Sequence, residues 1–583
     1  MSSYLILPRA RLAAAQTALL PLLGRHGHRL REERALGGTA DGAPGDRCLL
    51  LIDPPGASTI QTAADSGGNW IVAVGPFLYR GGTGARALAA YLARFDPDGD
   101  LWAHSQGHYT LIVHKAGTTY LLCDGLGTHK IYHDPAQRVL SNSFLNVLAL
   151  LERPSMEPRG AYVYAWTGAC QAGRTFVDGL SFLPANALAR LTGTDVAVAR
   201  HPAPTCAPVP PVEGGLAERA AANLAVLAPL VRAGAEAAGG QVRLSFSGGF
   251  DSRLLLGLLR GAGVAPELYV YGGAEDSDVR IAGIVASACG LSLNRVDKSA
   301  RPAPDPAAMP EVMERALVAF DGWRNTGLFD TGADADDRPG RHAGGYWPVN
   351  GGLGEIYRNF FNLHGRRARL DDIVSAFYYD FDPAWGGPAF ALDAYHAWMV
   401  EDLAAQLETD GRTLPVEQAH KLYPLFRGRF WTAREAEINQ RFGPMLFPYL
   451  EHAAIARSAD TPADQRLFGR LQMEMIRQAD PEIAVLPNAY GFRFSEGPSA
   501  RFKLDGLASL YRPMWLRRRA ARVKKARRLE RPPELRPAAL NAVIDADRPF
   551  TGRLFRTDKI ADADTLNRVL TMEYLAQRFG FAA

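Results

Sequence analysis

The sequence predicts an α/β protein in two parts: an N-terminal α+β sandwich of antiparallel sheets, then a parallel sheet covered by helices that passes into a helical C-terminal half. Three observations carry this. The first 200 residues run mostly as short β-prone segments, the stretch from 242 to 296 alternates strand with helix, and the proline-rich His201 to Pro211 separates the two patterns. With 583 residues, 47% of them hydrophobic, the chain is long enough for several cores.

Taken in order, Cys48–Ile52, Trp70–Val74, Tyr109–His114, Thr119–Cys123 and Ala187–Leu191 read as strands, and Ala85–Arg94 and Phe144–Glu152 as helices between them. Arg34 to Gly45 reads as a loop rich in Gly, Asp and Ala. The expected units are 1–200, an extended linker at 201–212, and 213–583. Beyond the linker come strand Val242–Phe246, helix Arg253–Arg260, strand Glu267–Gly272, helix Asp278–Cys289 and strand Leu291–Val296. That alternation argues a buried parallel sheet with ligands at the carboxyl ends of its strands. Thr331–Gly345 reads as a second loop, and the chain from about Pro310 as mainly helical.

The chemistry concentrates in Leu244-Ser245-Phe246-Ser247-Gly248-Gly249-Phe250-Asp251-Ser252, a turn between strand and helix. Gly248 and Gly249 let the backbone approach an anion, the helix N-terminus favours negative charge, and Ser247 and Ser252 add hydroxyl donors. Asp251 repels phosphate, so its expected task is to hold a Mg²⁺ that screens it. No Gly-Lys-Ser/Thr follows and no Gly-x-Gly-x-x-Gly is present, which sets the turn apart from the Walker and dinucleotide loops.

Composition excludes other classes. No apolar run reaches the roughly 18 residues of a membrane span and no basic-then-apolar leader opens the chain, so a cytoplasmic protein is expected. Five scattered cysteines form no Cys-x-x-Cys pair and indicate neither a disulfide framework nor a zinc site. A net charge of +4 with nearly balanced acids and bases does not describe a dedicated nucleic-acid binder. Basic residues nevertheless crowd 512–528, from Arg512 through Arg517, Arg518, Arg519, Arg522, Lys524, Lys525 and Arg527 to Arg528, with Trp515, Leu516 and Val523 among them. This run fits either a docking surface for an acidic partner (an acidic substrate, a peptide leader, RNA or an anionic membrane surface) or a solvated helix face.

The Ser-Gly-Gly-Phe-Asp-Ser turn resembles the pyrophosphate loop of the ATP pyrophosphatases, and most of the chain resembles the asparagine synthetase family, with the β-lactam and lasso-peptide macrolactam synthetases among its relatives. The N-terminal likeness lies in Gly107-His108-Tyr109, Cys123-Asp124-Gly125-Leu126-Gly127, Lys130-Ile131-Tyr132, Asn142-Ser143-Phe144-Leu145 and Gly179-Leu180-Ser181-Phe182-Leu183-Pro184. The resemblance implies an Ntn-hydrolase-like glutamine amidotransferase domain followed by an adenine-nucleotide α-hydrolase-like one. It also implies ATP and Mg²⁺ as cofactors, and a small-molecule or peptide carboxylate joined to an amine through an acyl-adenylate.

The departures matter as much. Glutaminases of this family expose a cysteine at residue 2, where this chain has Ser2, and Phe77 in Val74-Gly75-Pro76-Phe77-Leu78-Tyr79 stands where a carboxylate should grip glutamine. A degenerate, glutaminase-dead domain is expected. In Asn350-Gly351-Gly352-Leu353-Gly354-Glu355-Ile356-Tyr357 the acidic Glu355 is kept while Gly351 and Gly354 replace acidic positions. Glu355 then either joins Asp251 on Mg²⁺ or caps a helix. Phe447-Pro448-Tyr449-Leu450-Glu451 resembles a packing element, and Met473 stands in the position of the family lysine, leaving Arg358, Arg470 or Arg477 to replace its charge or to serve as ordinary ion-pair arginines. Asp276 and Asp278 either approach the nucleotide or start a helix. The expected site is therefore Ser245, Ser247, Gly248, Gly249, Phe250, Asp251, Ser252 and Gly352 for ATP and pyrophosphate, with Asp251 and Glu355 as catalytic and metal residues. A catalytically silent nucleotide-binding scaffold is the alternative reading.

Overall fold

The central strands of the first 200 residues bury both faces, and the period of two assigns each face to a different core. The structure is a computed structural model that describes residues 2–36, 46–193, 195–298, 302, 304–513, 516, 517, 519 and 531–582. One antiparallel sheet runs, in spatial order, Ser181–Phe182, Tyr132–His133, Leu140–Ser141, Ser3–Pro8, Arg47–Asp53, Arg29–Leu36; the other runs Asp195–Arg200, Ala187–Thr192, Thr118–Cys123, Thr110–Lys115, Trp70–Val74, Ile60–Ala64. Tyr4, Ile6, Leu49 and Leu51 of the first sheet pack on Val72, Val74, Ile112 and Leu121 of the second. The outer face of the second sheet, Ile71, Ala73, Leu111 and Val113, rests on helix Gly84–Arg94 through Leu88, Tyr91 and Leu92. The outer face of the first, Leu5, Leu7, Leu50 and Ile52, joins Phe144 to Leu148 and Ala161 to Trp166 in a core that continues into the second half of the chain.

That second half is built on four parallel strands in the order Leu293–Val296, Glu267–Tyr271, Val242–Ser245, Trp347–Val349. Leu244 pairs with Leu268 on one side and Val349 on the other. The order reverses beside Val242–Ser245, so the turns after that strand and after Trp347–Val349 open side by side at the carboxyl edge. Helices Leu216–Ala237, Phe250–Gly261 and Arg470–Ala479 belong to the same core.

Four expectations change. The helix from Phe144 stops at Leu148, where Leu150 N–H donates to Val147 C=O and tightens the chain before Pro154. Thr331–Gly345 is not all loop: Ala333–Gly340 is helical, held by Asp334, which pairs with Arg324 and Arg338 at 2.8 Å each. The proline-rich stretch is anchored, since Arg457 donates to Pro210 C=O at 2.6 Å and Thr205 is buried. With Trp102, Arg429 and His452 it lines a cleft of about 750 Å³ between the halves. Arg34 to Leu36 belong to a strand, whereas 37–45 lie outside the described residues.

Across the junction, Asp321 accepts from the Phe144 N–H at 2.9 Å and from the Ser143 hydroxyl, so a residue of the second half caps a helix of the first. Arg434, wholly buried, pairs with Glu437 at 2.7 Å and Asp321 at 3.5 Å and donates to the carbonyls of Phe320 and Trp323. Nearby, both oxygens of buried Glu451 accept from the Gly107 N–H at 3.0 and 3.2 Å. Burial pushes this carboxyl up to about 8; the Gly107 amide opposes the shift and Asp124 adds to it.

Arg434→Ala takes the 2.7 Å cation from Glu437, leaving it Lys130 at 3.9 Å, and leaves Asp321 to Arg441 at 3.4 Å; it is expected to cost up to about 3–5 kcal/mol of unfolding free energy in urea. Glu451 binds its proton more tightly in the native state than in the unfolded one. Its stabilising contribution is therefore complete below the ordinary value of 4.5 and is lost as pH rises through about 8. Across that window wild-type stability should fall relative to Glu451→Gln, by up to about 1.4 kcal/mol per pH unit, as read from paired urea titrations.

Candidate functional site

Strand Val242–Ser245 ends in the turn Phe246–Gly249, and helix Phe250–Gly261 begins there with Gly249 as its N-cap. The first N–H groups of this helix have no intrahelical acceptor and point into the turn. Gly248 has φ +75°, and a Cβ there would lie 2.2 Å from Ile281 Cγ2, so both backbone and space require glycine. A Cβ on Gly249 would sit 3.4 Å from the Tyr490 hydroxyl, which marks how closely that ring covers the turn. Ser247 is exposed, and the Ser252 hydroxyl is buried with no hydrogen-bond partner among the described residues. Ser245 lies at the strand end against the Tyr269 hydroxyl, away from the turn's opening. Phe250 is a core residue, its ring 4.9 Å from Phe494 and 5.2 Å from Tyr490. Arg253, also fully buried, donates to Ile483 and Pro487 carbonyls at 2.7 Å each and so fixes the segment that carries Tyr490.

Asp251 and Glu355 are brought together, and Arg358 stands between them. One guanidinium nitrogen, Nη2, lies 3.0 and 2.8 Å from the two Asp251 oxygens and 3.2 Å from Glu355 Oε1. Gln472 Nε2 donates to Asp251 Oδ1 at 2.8 Å, the Tyr423 hydroxyl donates to Glu355 Oε2 at 2.6 Å, and the Tyr449 hydroxyl donates to the Asp251 carbonyl at 2.9 Å. Burial pushes the Asp251 carboxyl up, against the pull of Arg358 and with the help of the Glu355 charge. Burial opposes the charge on Arg358, but Asp251 and then Glu355 overcome it and hold the guanidinium above its ordinary value.

A Mg²⁺ on Asp251 and Glu355 does not fit this arrangement. A hard cation needs several oxygen ligands, and here three of the four carboxylate oxygens accept from protein donors while a cationic nitrogen 3.2 Å from the fourth fills the gap. Among the described residues no three His, Cys, Asp or Glu side chains gather to hold a metal. Gly351 and Gly354 are the counterpart of this packing: Cβ atoms on them would lie 3.1 Å from Asp251 Cβ and 2.2 Å from Asp251 Oδ1. Gly352 N–H donates to the Asn350 side chain at 2.7 Å, closing the second turn. Beside these groups opens a cavity of about 260 Å³ lined by Phe250, Glu355, Arg358, Phe360, Phe468 and Phe502.

Other sequence candidates separate. Arg358 is at the site, whereas Arg470 and Arg477 are half-exposed and pair with Asp464 and Glu474. Met473 is buried in the core and Gln472, its neighbour, faces Asp251. Asp276 is the N-cap of helix Ser277–Cys289 and its carboxylate accepts from the Gly273 N–H at 2.8 Å; Asp278 lies in that helix's first turn. Tyr423 and Tyr490 carry no motif and reach the site only through the fold. In the first half, Ser2 is wholly buried and its hydroxyl accepts from the Thr59 N–H at 2.8 Å. Phe77 is likewise buried, its ring 4.7 Å from Tyr109 and 5.5 Å from Tyr91. Of the basic run, 514, 515, 518 and 520–528 lie outside the described residues. No described helix is long and apolar enough to cross a membrane.

No protein-family description and no curated protein matches the chain. Among solved structures it is similar to glutamine phosphoribosylpyrophosphate amidotransferase from B. subtilis complexed with ADP and GMP. The identity is 10%, over 46% of this chain and 81% of that one, with a TM-score of 0.22. A structure described as the allosteric regulatory enzyme of purine biosynthesis is 8% identical over 52% of this chain and 82% of its own, with a TM-score of 0.24. Likeness at this level carries no argument about this chain's activity.

Gly354→Ala is expected to force Asp251 off Arg358 and to lower the unfolding free energy by about 1–3 kcal/mol. Gly340→Ala, where a Cβ meets nothing within 4 Å, should leave it unchanged or raise it by less than about 1 kcal/mol in the same urea titration.

Proposed function

We propose that the chain binds ATP at the Ser247-Gly248-Gly249 turn and uses it to form an amide. A substrate carboxylate oxygen attacks the α-phosphorus, the bond to the β-phosphate oxygen breaks, and pyrophosphate leaves. An amine nitrogen then attacks the acyl carbon of the adenylate, AMP departs with the bonding electrons, and the nitrogen loses a proton. The observation that carries this reading is the placing of a glycine turn, a helix N-terminus and an aromatic cavity together at the reversal of strand order. In it the turn's N–H groups and the hydroxyls of Ser247 and Ser252 hold the departing phosphates, and the cavity orients the carboxylate. Phe77, packed among tyrosines where a glutamine-gripping carboxylate would stand, supports an amine taken from free ammonia, a second substrate or the same substrate.

A second reading, a nucleotide-binding scaffold without catalysis, is favoured by the saturation of both carboxylates by Arg358, Gln472 and Tyr423. Pyrophosphate and AMP release from ATP with a panel of carboxylates and amines separates them. Ser252→Ala, which breaks no protein hydrogen bond, should reduce substrate-stimulated release by about a hundredfold. Nucleotide binding without release under any condition favours the scaffold, and absence of ATP binding removes both readings.

A further inference from the structure

Three of the four oxygens of the two carboxylates expected to hold a cation already accept from a protein donor, and the fourth stands against a guanidinium. Asp251 Oδ1 accepts from Arg358 and Gln472, Asp251 Oδ2 from Arg358, and Glu355 Oε2 from Tyr423, while Glu355 Oε1 lies 3.2 Å from the Arg358 guanidinium. The remaining walls agree. Gly351 and Gly354 bring no ligand atom and leave no room for one, since even a methyl group at 354 would collide with Asp251. Phe250 forms another side, with the Arg358 guanidinium 5.1 Å from its ring centroid, and the Tyr490 hydroxyl engages the same guanidinium.

We infer that Arg358 occupies the place of a resident divalent cation, so that Asp251 and Glu355 form a metal-free clamp holding the glycine turn to the Gly351–Arg358 segment. A guanidinium is planar, always charged and able to bridge two carboxylates, which a lysine or a water-filled gap does not reproduce. Asp251 and Glu355 are thereby positioning residues, and the chain contributes neither of them as a metal ligand. This depends on the proposed ATP site only for its consequence there, that any divalent ion in the reaction arrives on the nucleotide.

Mn²⁺ alone is the probe, followed by electron paramagnetic resonance on the full chain without nucleotide. The wild type should leave the free-ion signal undiminished. Arg358→Gln, which empties the clamp of its charge, should remove one equivalent of that signal, and Asp251→Asn added to it should restore the signal in full. Wild-type protein that takes up Mn²⁺ and loses it with Asp251→Asn overturns the inference, whether or not any Arg358 variant folds. A folded Arg358→Gln, verified by circular dichroism, that still binds no Mn²⁺ overturns it as well. Binding of α,β-methylene-ATP, measured separately, reports on the nucleotide reading: its absence leaves the Mn²⁺ result standing, so the two failures are told apart.

Discussion

Burying Arg434 is the constraint on which the two halves of the chain depend. A guanidinium with no exposure to water is tolerable only if most of its donors are used, and its two terminal nitrogens find Glu437, Asp321 and the backbone carbonyls of Phe320, Asp321 and Trp323. Asp321, held in this way, caps the helix that starts at Phe144. Glu437 lies one turn from Arg434 on helix Ala433–Asn439 and 3.9 Å from Lys130, another buried cation of the first half. The junction is thus polar at its centre and surrounded by a hydrophobic core common to both halves. The same run of chain reaches the candidate site, because helix Ala433–Asn439 follows a π-helix over Tyr423–Thr432 whose first residue donates to Glu355. Fixing Arg434 therefore also fixes the distance from the junction to Tyr423.

At the site, substitutions that look independent in sequence form one packing solution. Acidic side chains at 351 and 354 would add negative charge beside Asp251 and would collide with it. Glycine at both positions lets the first turn of helix Phe250–Gly261 press against the Gly351–Arg358 segment, and Arg358 neutralises Asp251 and Glu355. Met473 follows the same logic: with Arg358 supplying the cation, the helix Arg470–Ala479 needs only the neutral Gln472 toward Asp251 and can turn Met473 into the core. A lysine there would be a second buried positive charge near the first.

The local part of this was legible in the sequence. Alternation found the N-terminal strands, and the glycine turn lies between an apolar strand and a leucine-rich helix, although that helix starts at Phe250, three residues before the leucine pattern suggests, so Asp251 and Ser252 belong to its first turn rather than to the loop. That offset has a simple cause: Gly249 caps the helix and Phe250 packs inward at its first position, which periodicity does not mark. The strand Trp347–Val349 is too short to show a period, yet it creates the reversal that puts the second turn beside the first. Helix Ala333–Gly340 is held by ion pairs, which composition does not encode. Tyr423, Tyr449 and Tyr490 converge from separate segments by packing, and no spacing within one segment foretells it.

The N-terminal half has a physical role here that does not require it to hydrolyse anything. Ser2 spends its hydroxyl on a backbone N–H, and Phe77 fills its surroundings with aromatic contacts that are difficult to open, since a Cβ on the neighbouring Gly75 would already lie 2.3 Å from a carbonyl oxygen. What this half supplies is the complement to the second half's buried polar groups. Gly107 gives the Glu451 carboxyl an amide donor, Phe144 gives Asp321 a helix to cap, and Leu183 C=O accepts from buried Arg429. Removing it would strip a shared core and leave three buried polar side chains, Glu451, Asp321 and Arg429, short of partners, each costing on the order of 1–3 kcal/mol. These energetic grounds for the sandwich hold whatever reaction the chain carries out.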